Sequence, residues 1–204
     1  MYGHPKHILD EGEARTAMLR FDRLALLVTH GVEGLRATHL PLAIEETRLI
    51  GHIARGNPQW RDAPCEALIV MPGAETYISP NWYETKKTTE RAVPTWNYET
   101  LHVRGRLTIY EDPALLHANV EALSVKHEAS QPRPWRLSDA PEDYLERLLA
   151  GIVGVELAIT SIEGKRKLSQ EKPAEDFDGV VQALSASADP RDRAVAAGMR
   201  DTQT

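Results

Sequence analysis

The sequence predicts one α+β domain in which short antiparallel strands close into a small barrel with helices around it. Three observations point there. Strand-like runs follow one another between residues 24 and 110 instead of alternating with helices, which favours antiparallel pairing over a doubly wound sheet. Pro41 falls inside the second of these runs, where a missing backbone donor is tolerated only at an edge, a bulge or the opening of a barrel. Helical patterns gather at the start, in a block after residue 110 and near the C-terminus.

The elements are predicted in order as follows. Residues 11–22 place Ala14, Met18 and Phe21 at helical spacing behind acidic first-turn residues, an amphipathic helix. Leu24–Thr29 is a compact apolar strand, and His30-Gly31-Val32-Glu33-Gly34 is a hairpin turn whose glycines supply the backbone freedom it needs. Strands are expected within Leu35–Ile44 and at Arg48–Ala54. Asn57 with Pro58 reads as the cap and first turn of a short helix. Cys65–Met71, Ala74–Ser79 and Leu101–Tyr110 follow as strands, with Gly105 expected to mark a bulge or bend. Helices are predicted over 112–128 and 141–150, then a strand over Ile152–Ile162, a charged connector EGKRKLSQEKP and a last helix near 175–185. The tail from Ser185 is expected to be loosely ordered. The single domain thus has a helical start (1–22), the main barrel strands (23–110), a helical insertion (111–150), a last barrel strand (151–163) and a C-terminal segment with its helix (164–204).

Composition narrows the class. With 42% hydrophobic and 26% charged residues, the 204-residue chain has ordinary globular usage. The N-terminal residues lack a basic stretch followed by an apolar core, and no run approaches the length of a spanning helix, so a cytoplasmic protein without a membrane is expected. The single cysteine, Cys65, rules out an intrachain disulfide and a cysteine-based zinc site within one chain. A net charge of −6 repels a phosphate backbone on average and counts against direct DNA binding. The basic runs Lys86, Lys87, Arg91 and Lys165, Arg166, Lys167 are short enough to read as solvated loops.

Four segments concentrate polar and aromatic groups beyond what core packing requires: Arg36–Pro41, Gly51–Trp60, Tyr77–Tyr83 and Val93–Tyr98. They hold three of the four tryptophans, Trp60, Trp82 and Trp96. The stretches GHIARGNPQW, YISPNWY and VPTWNYETLHVRG, with the later KLSQ, resemble the PaiB family of FMN-binding negative transcriptional regulators, in the family's order. That resemblance implies an FMN-binding split β-barrel, antiparallel and Greek-key-like, with peripheral helices and a C-terminal helix. It also implies a homodimer holding FMN at its interface.

The residues can be weighed against what such a cofactor needs. A phosphate close to two negative charges calls for charge-assisted donors, which Arg55 and the start of the helix after Asn57 can supply; Arg55 also reads as a surface arginine ending a strand. His52 falls on the opposite strand face from Arg55, so it reads equally as a flavin ligand, a structural histidine or an interface residue. Thr38 and His39, on an earlier strand, can donate to phosphate or ribityl oxygens, although a strand threonine also has an ordinary β-propensity explanation. Trp60, Trp82 and Trp96 offer flat surfaces to a flavin ring, an interface or the core. Ser79 and Asn97 can bond ring atoms, although Ser79 also begins a turn signal. Lys167, Ser169 and Gln170 form a polar group able to reach a flavin, or a linker.

Dinucleotide, phosphate-loop, nucleophile-elbow and HExxH motifs are missing, the eight histidines are dispersed, and no tight helix-turn-helix appears. The leading expectation is an FMN-binding regulator acting through flavin occupancy or a protein partner. A flavin-dependent reductase or oxidase of a small molecule is the second, since the cofactor carries that chemistry without a catalytic dyad. A haem-binding split barrel with a histidine ligand such as His52 is the third.

Overall fold

The computed structural model describes residues 1–203. The chain divides into two compact units: Met1–Ala14, Pro72–Leu101 and the chain from Glu163 onward form one, and Arg15–Met71 with His102–Ile162 form the other. An eight-stranded sheet runs in the order β3-β2-β6-β7-β8-β5-β4, with β1 added to β8. The strands are β1 (Ile8–Leu9), β2 (Ala25–Gly31), β3 (Gly34–Leu40), β4 (Ala43–Ile44), β5 (Arg48–Ala54), β6 (Cys65–Ile78), β7 (Thr95–Tyr110) and β8 (Ile152–Lys167). Every pairing with a defined register is antiparallel, as the grouped strand runs predict.

In the second unit, β2 alternates buried and half-buried residues, which turns Ala25, Leu27 and Thr29 inward. The predicted hairpin closes at Gly31 opposite Gly34, and Gly34 has φ +101, a backbone state that glycine alone enters at little cost. Pro41 interrupts the chain between β3 and β4, as its missing donor requires. Strand β5 has the predicted bounds and buries Leu49, Gly51 and Ile53 against β8. After α1 (Glu11–Leu19) and α2 (Lys86–Thr89), the insertion in this unit forms two helices, α3 (Pro113–Glu128) and α4 (Glu142–Ala150). Asp112 caps α3 by accepting from the Ala114 and Leu115 amides.

Several expectations change. Cys65–Met71 and Ala74–Ser79 are one strand: Pro72 lies exposed, and Gly73 admits β7, since a Cβ there would sit 2.7 Å from that of Glu99. Gly105 answers a close approach instead of breaking its strand, because an added Cβ would lie 2.1 Å from the Ala158 carbonyl oxygen and β7 runs unbroken through it. The charged EGKRK stretch is not a connector but the end of β8. Its cations are engaged within the protein: Lys165 donates to the Tyr2 carbonyl, Arg166 to Glu99 at 2.6 Å, and Lys167 to Thr95 and the Trp96 carbonyl.

The tail from Ser185 is also ordered. Helix α5 (Ala174–Ser185) is followed by α6 (Pro190–Asp201), capped by Asp189 on the Arg191 amide. Val195, Ala196 and Met199 of α6 are fully buried with Ile78, Tyr83, Leu168, Phe177, Val180 and Leu184, the core of the first unit. The polar composition misleads because only every third or fourth residue of α6 needs to be apolar to seal that core.

Tyr110 lies flat against the backbone of Gly154, where an added Cβ would be 2.2 Å from the ring. Burial pushes the Tyr110 phenol up to about 12, Glu156 adds to the rise and Arg48 opposes it. Because the folded value exceeds the ordinary value of about 10, the folded state loses stability as pH climbs from about 10 toward 12. Urea melts at pH 8 and 11 are expected to show this loss, and Tyr110→Phe to reduce it; an unchanged difference would remove Tyr110 as its source.

Candidate functional site

The expected site residues fall into two groups, one in each unit. In the second unit, the turn after β5 is pinned to β2 and β3 by a buried polar network. Asn57 caps a short 3-10 helix, Pro58–Asp62, by accepting from the Gln59 amide at 3.0 Å, as expected. Gln59, only 1% exposed, donates from its amide to the Leu27 carbonyl, Thr29 and the Arg36 carbonyl. Its carbonyl oxygen accepts from Thr38, which in turn accepts from Asn57 at 2.8 Å. Asp62 accepts from Thr29 at 2.6 Å and from Arg36. Every polar atom of the Gln59 side chain is thereby matched, which makes this network rigid as well as affordable in the interior.

The remaining residues of this group surround the turn. Trp60 donates its indole N–H to the Arg55 carbonyl at 3.0 Å, and Arg61 lies over its ring. His39 is exposed on the face of β3 opposite Thr38. His52 is half-buried, with its Nδ1 2.9 Å from the Asn119 Oδ1 of α3. Arg55 follows β5 and its fork is occupied: it donates to the Ala150 carbonyl at 3.0 Å, the Ile152 carbonyl at 3.2 Å and Glu111. Both partners of that ion pair are open to solvent, with side chains 42% and 50% exposed.

In the first unit, Asn97 is fully buried and exchanges hydrogen bonds with Ser169, donating at 3.0 Å and accepting at 3.1 Å. Ser169 has φ +66, a left-handed state that costs a non-glycine residue energy and that this buried pairing helps to hold. Gln170 closes the turn by accepting from the Leu168 amide and donating to the Arg166 carbonyl. Burial lowers the Lys167 pKa, with Lys165 and Lys172 adding to the fall and Glu171 opposing it. Beside it Trp96 is 55% exposed and meets Tyr77 edge-on, with ring centroids 6.2 Å apart. Ser79 caps the short helix Pro80–Trp82 through the Asn81 amide, a local role, and Trp82 packs half-buried against the core.

Sequence reasoning passed over Gln59, Asp62, Asn119 and Tyr83. Asn119 left a signal: it occupies the buried stripe of α3 between Leu116 and Leu123, where a polar residue needs a partner. Tyr83 left none, and among the described residues its hydroxyl is the buried side-chain polar atom without a partner. No helix among the described residues is long and apolar enough to cross a membrane, and no cluster of histidine, cysteine and carboxylate groups there can hold a metal ion.

FMN presents phosphate, ribityl hydroxyls, ring carbonyls and a broad apolar ring. The chain offers donors of matching type at Asn57 and Arg55, an acceptor at Thr38, whose own hydroxyl hydrogen is given to Gln59, and a half-exposed indole beside an ammonium at Trp96 and Lys167, so its residues fit the group. The antiparallel strand order with its flanking helices is that of a split β-barrel protein. The same architecture is found in the flavocytochrome Anf3 of Azotobacter vinelandii, with a TM-score of 0.60 at 13% identity over 84% of this chain and 74% of that one. A conserved hypothetical protein of Mycobacterium tuberculosis, Rv2991, aligns with a TM-score of 0.56 at 13% identity, covering 85% of this chain and 94% of that one. The chain belongs to the family described as "Putative FMN-binding domain", whose model matches residues 1–161, and FMN is its cofactor.

Sequence relatives agree with the PaiB-type pattern. The Bacillus subtilis protease synthase and sporulation protein PAI 2 is 33% identical over 171 residues, covering 81% of this chain and 80% of that protein. An uncharacterized protein of Aspergillus fumigatus is 36% identical over 170 residues; the match covers 67% of this chain and 65% of the fungal protein's length.

Proposed function

We propose that this chain is an FMN-binding negative regulator of transcription of the PaiB type, working in the cytoplasm as a homodimer. The observation that carries the reading is the coincidence of the FMN-binding family match over residues 1–161 with the 33% identity to PAI 2 across most of both chains. A net charge of −6 favours action through a protein partner over contact with an operator.

Within one protomer, Asn57 and Arg55 are the proposed donors to phosphate and ribityl oxygens, and Thr38, whose hydroxyl hydrogen goes to Gln59, can only accept from a ribityl hydroxyl, with the Gln59 network fixing the turn that carries them. His39 on β3 and His52 on β5 are secondary candidates. Trp96 and Lys167 are proposed to serve the partner subunit's flavin, which accounts for an exposed aromatic pair beside a partly desolvated ammonium. When bound, the flavin supplies a redox-active ring whose state the protein can report to its partner.

The purified protein is expected to be a yellow dimer that releases FMN on denaturation, read by absorbance and by light scattering during size exclusion. A colourless protein that also fails to take up added FMN would overturn the reading. Tight, sequence-specific DNA binding at about 150 mM salt would replace the protein partner with an operator. Rapid flavin reduction by NADH or NADPH followed by turnover of an acceptor would make it an enzyme.

A further inference from the structure

A groove of about 310 Å³ runs beside α3 on the outer face of β5, β7 and β8, within the second unit. Its volume lies at the lower end of the range that binds small molecules, roughly 300 Å³ upward. Ile50, Ile109 and Leu115 make its apolar walls, and Asn119 and Tyr110 its polar ones.

These two polar groups are underused. The Tyr110 hydroxyl reaches only the Gly51 carbonyl, at 3.4 Å, and the Asn119 amide nitrogen only the Ile50 carbonyl, at 3.5 Å. Good bonds of these kinds are about 2.7 and 2.9 Å long. Asn119 is 6% exposed, so its weakly engaged N–H groups have little access to bulk water. Two donors of one groove are therefore held near carbonyls without being satisfied by them, and an oxygen acceptor entering the groove would be a better partner for either.

The rim selects charge. Arg48 lies between Glu45 and Glu156, at 2.6 and 3.1 Å, which leaves one uncompensated negative charge at the mouth. A carboxylate or phosphate would meet that charge, whereas a neutral carbonyl oxygen would not. We propose that this groove is a second ligand site, apart from the residues assigned to FMN, and that it takes a small, neutral, single-ring molecule bearing a carbonyl group. The carbonyl oxygen accepts from Tyr110 and Asn119, and the ring lies against Ile50, Ile109 and Leu115. Asn119 also holds the Nδ1 of His52, so occupancy of the groove acts on the strand that leads into the Asn57 turn.

The test titrates benzamide into the FMN-loaded protein and follows the Asn119 side-chain amide and the Leu115 and Ala118 methyl groups by NMR. Saturable shifts confined to these groups are expected, with benzoate binding more weakly than benzamide. Tyr110→Phe is expected to weaken benzamide about 2- to 10-fold, the value of one hydrogen bond. Ala118→Leu is expected to abolish binding by filling the groove; Ala118 is exposed on α3, so folding should survive, as a thermal melt will verify. No saturable shift up to about 10 mM, which is weak even for a ligand of this size, would overturn the proposal. So would unchanged affinity in Tyr110→Phe, or release of FMN by benzamide, which would place both molecules in one site.

Discussion

Replacing Arg55 with alanine is expected to weaken FMN binding about 10- to 100-fold while leaving riboflavin binding nearly unchanged. The magnitude follows from losing charge-assisted hydrogen bonds to a phosphate, each about 1.5–3 kcal/mol. In the structure the guanidinium is held by two backbone carbonyls, Ala150 and Ile152, while its third contact is the Glu111 carboxylate. An exposed ion pair of this kind is worth at most about 1 kcal/mol, so a phosphate dianion can take the place of Glu111. The carbonyls meanwhile keep the fork aimed.

Two companion variants sharpen this expectation. Glu111→Gln removes the competing charge and is expected to tighten FMN a few-fold. Arg55→Lys keeps the charge but loses the planar fork, and should fall between wild type and alanine. The measurement is fluorescence quenching of FMN and riboflavin on titration with apoprotein. Equal losses for both flavins in Arg55→Ala would show that Arg55 braces the fold and does not touch the phosphate.

Truncating the chain after Ser187 is expected to remove most of its folding stability. The deletion takes away Val195, Ala196 and Met199, all fully buried, and leaves Leu168, Val180 and Leu184 facing water. Full burial of a valine or methionine side chain is worth about 1.5–3 kcal/mol, so the two largest side chains alone account for roughly 3–6 kcal/mol. That is comparable with the roughly 5–15 kcal/mol by which domains are stable at all. Asp192 is lost as well, and with it the acceptor for the Thr76 and Ser187 hydroxyls. Met199→Ala alone should cost about 2–5 kcal/mol. Urea melts of both variants decide the point: a truncated chain as stable as the full one would mean that α6 does not seal the core.

The candidate site was legible in outline. Asn57 caps its helix and Gly34 takes the positive φ its hairpin needs, because both effects act within a few residues and leave their mark in local sequence. The polar segments around Thr38, Asn57 and Asn97 stood out because they gather polar and aromatic groups beyond what core packing requires. Their partners did not stand out. Asn97 bonds Ser169, and Thr38 bonds Gln59, across separations in the chain that no local pattern records.

Two errors share one cause. Pro72-Gly73 was expected to divide β6, and the charged stretch after Glu163 to lie outside β8; both are strand because neighbouring strands receive them. Glu99 packs against Gly73 and bonds Arg166, so one β7 residue accounts for a glycine on one side and an arginine on the other.

The sequence by itself determined the antiparallel α+β class, the bounds of β5 and α3 to within a residue, and through its four motifs the flavin family. Periodicity, capping and turn chemistry are short-range, so they are written where they act. Tertiary structure alone decided that Arg55 is tied to α4 and β8, that Asn119 reaches His52, and that the polar tail becomes a core helix. Those outcomes depend on which surfaces the folded chain brings together, and a side chain's partners are fixed by that encounter and not by its neighbours in sequence.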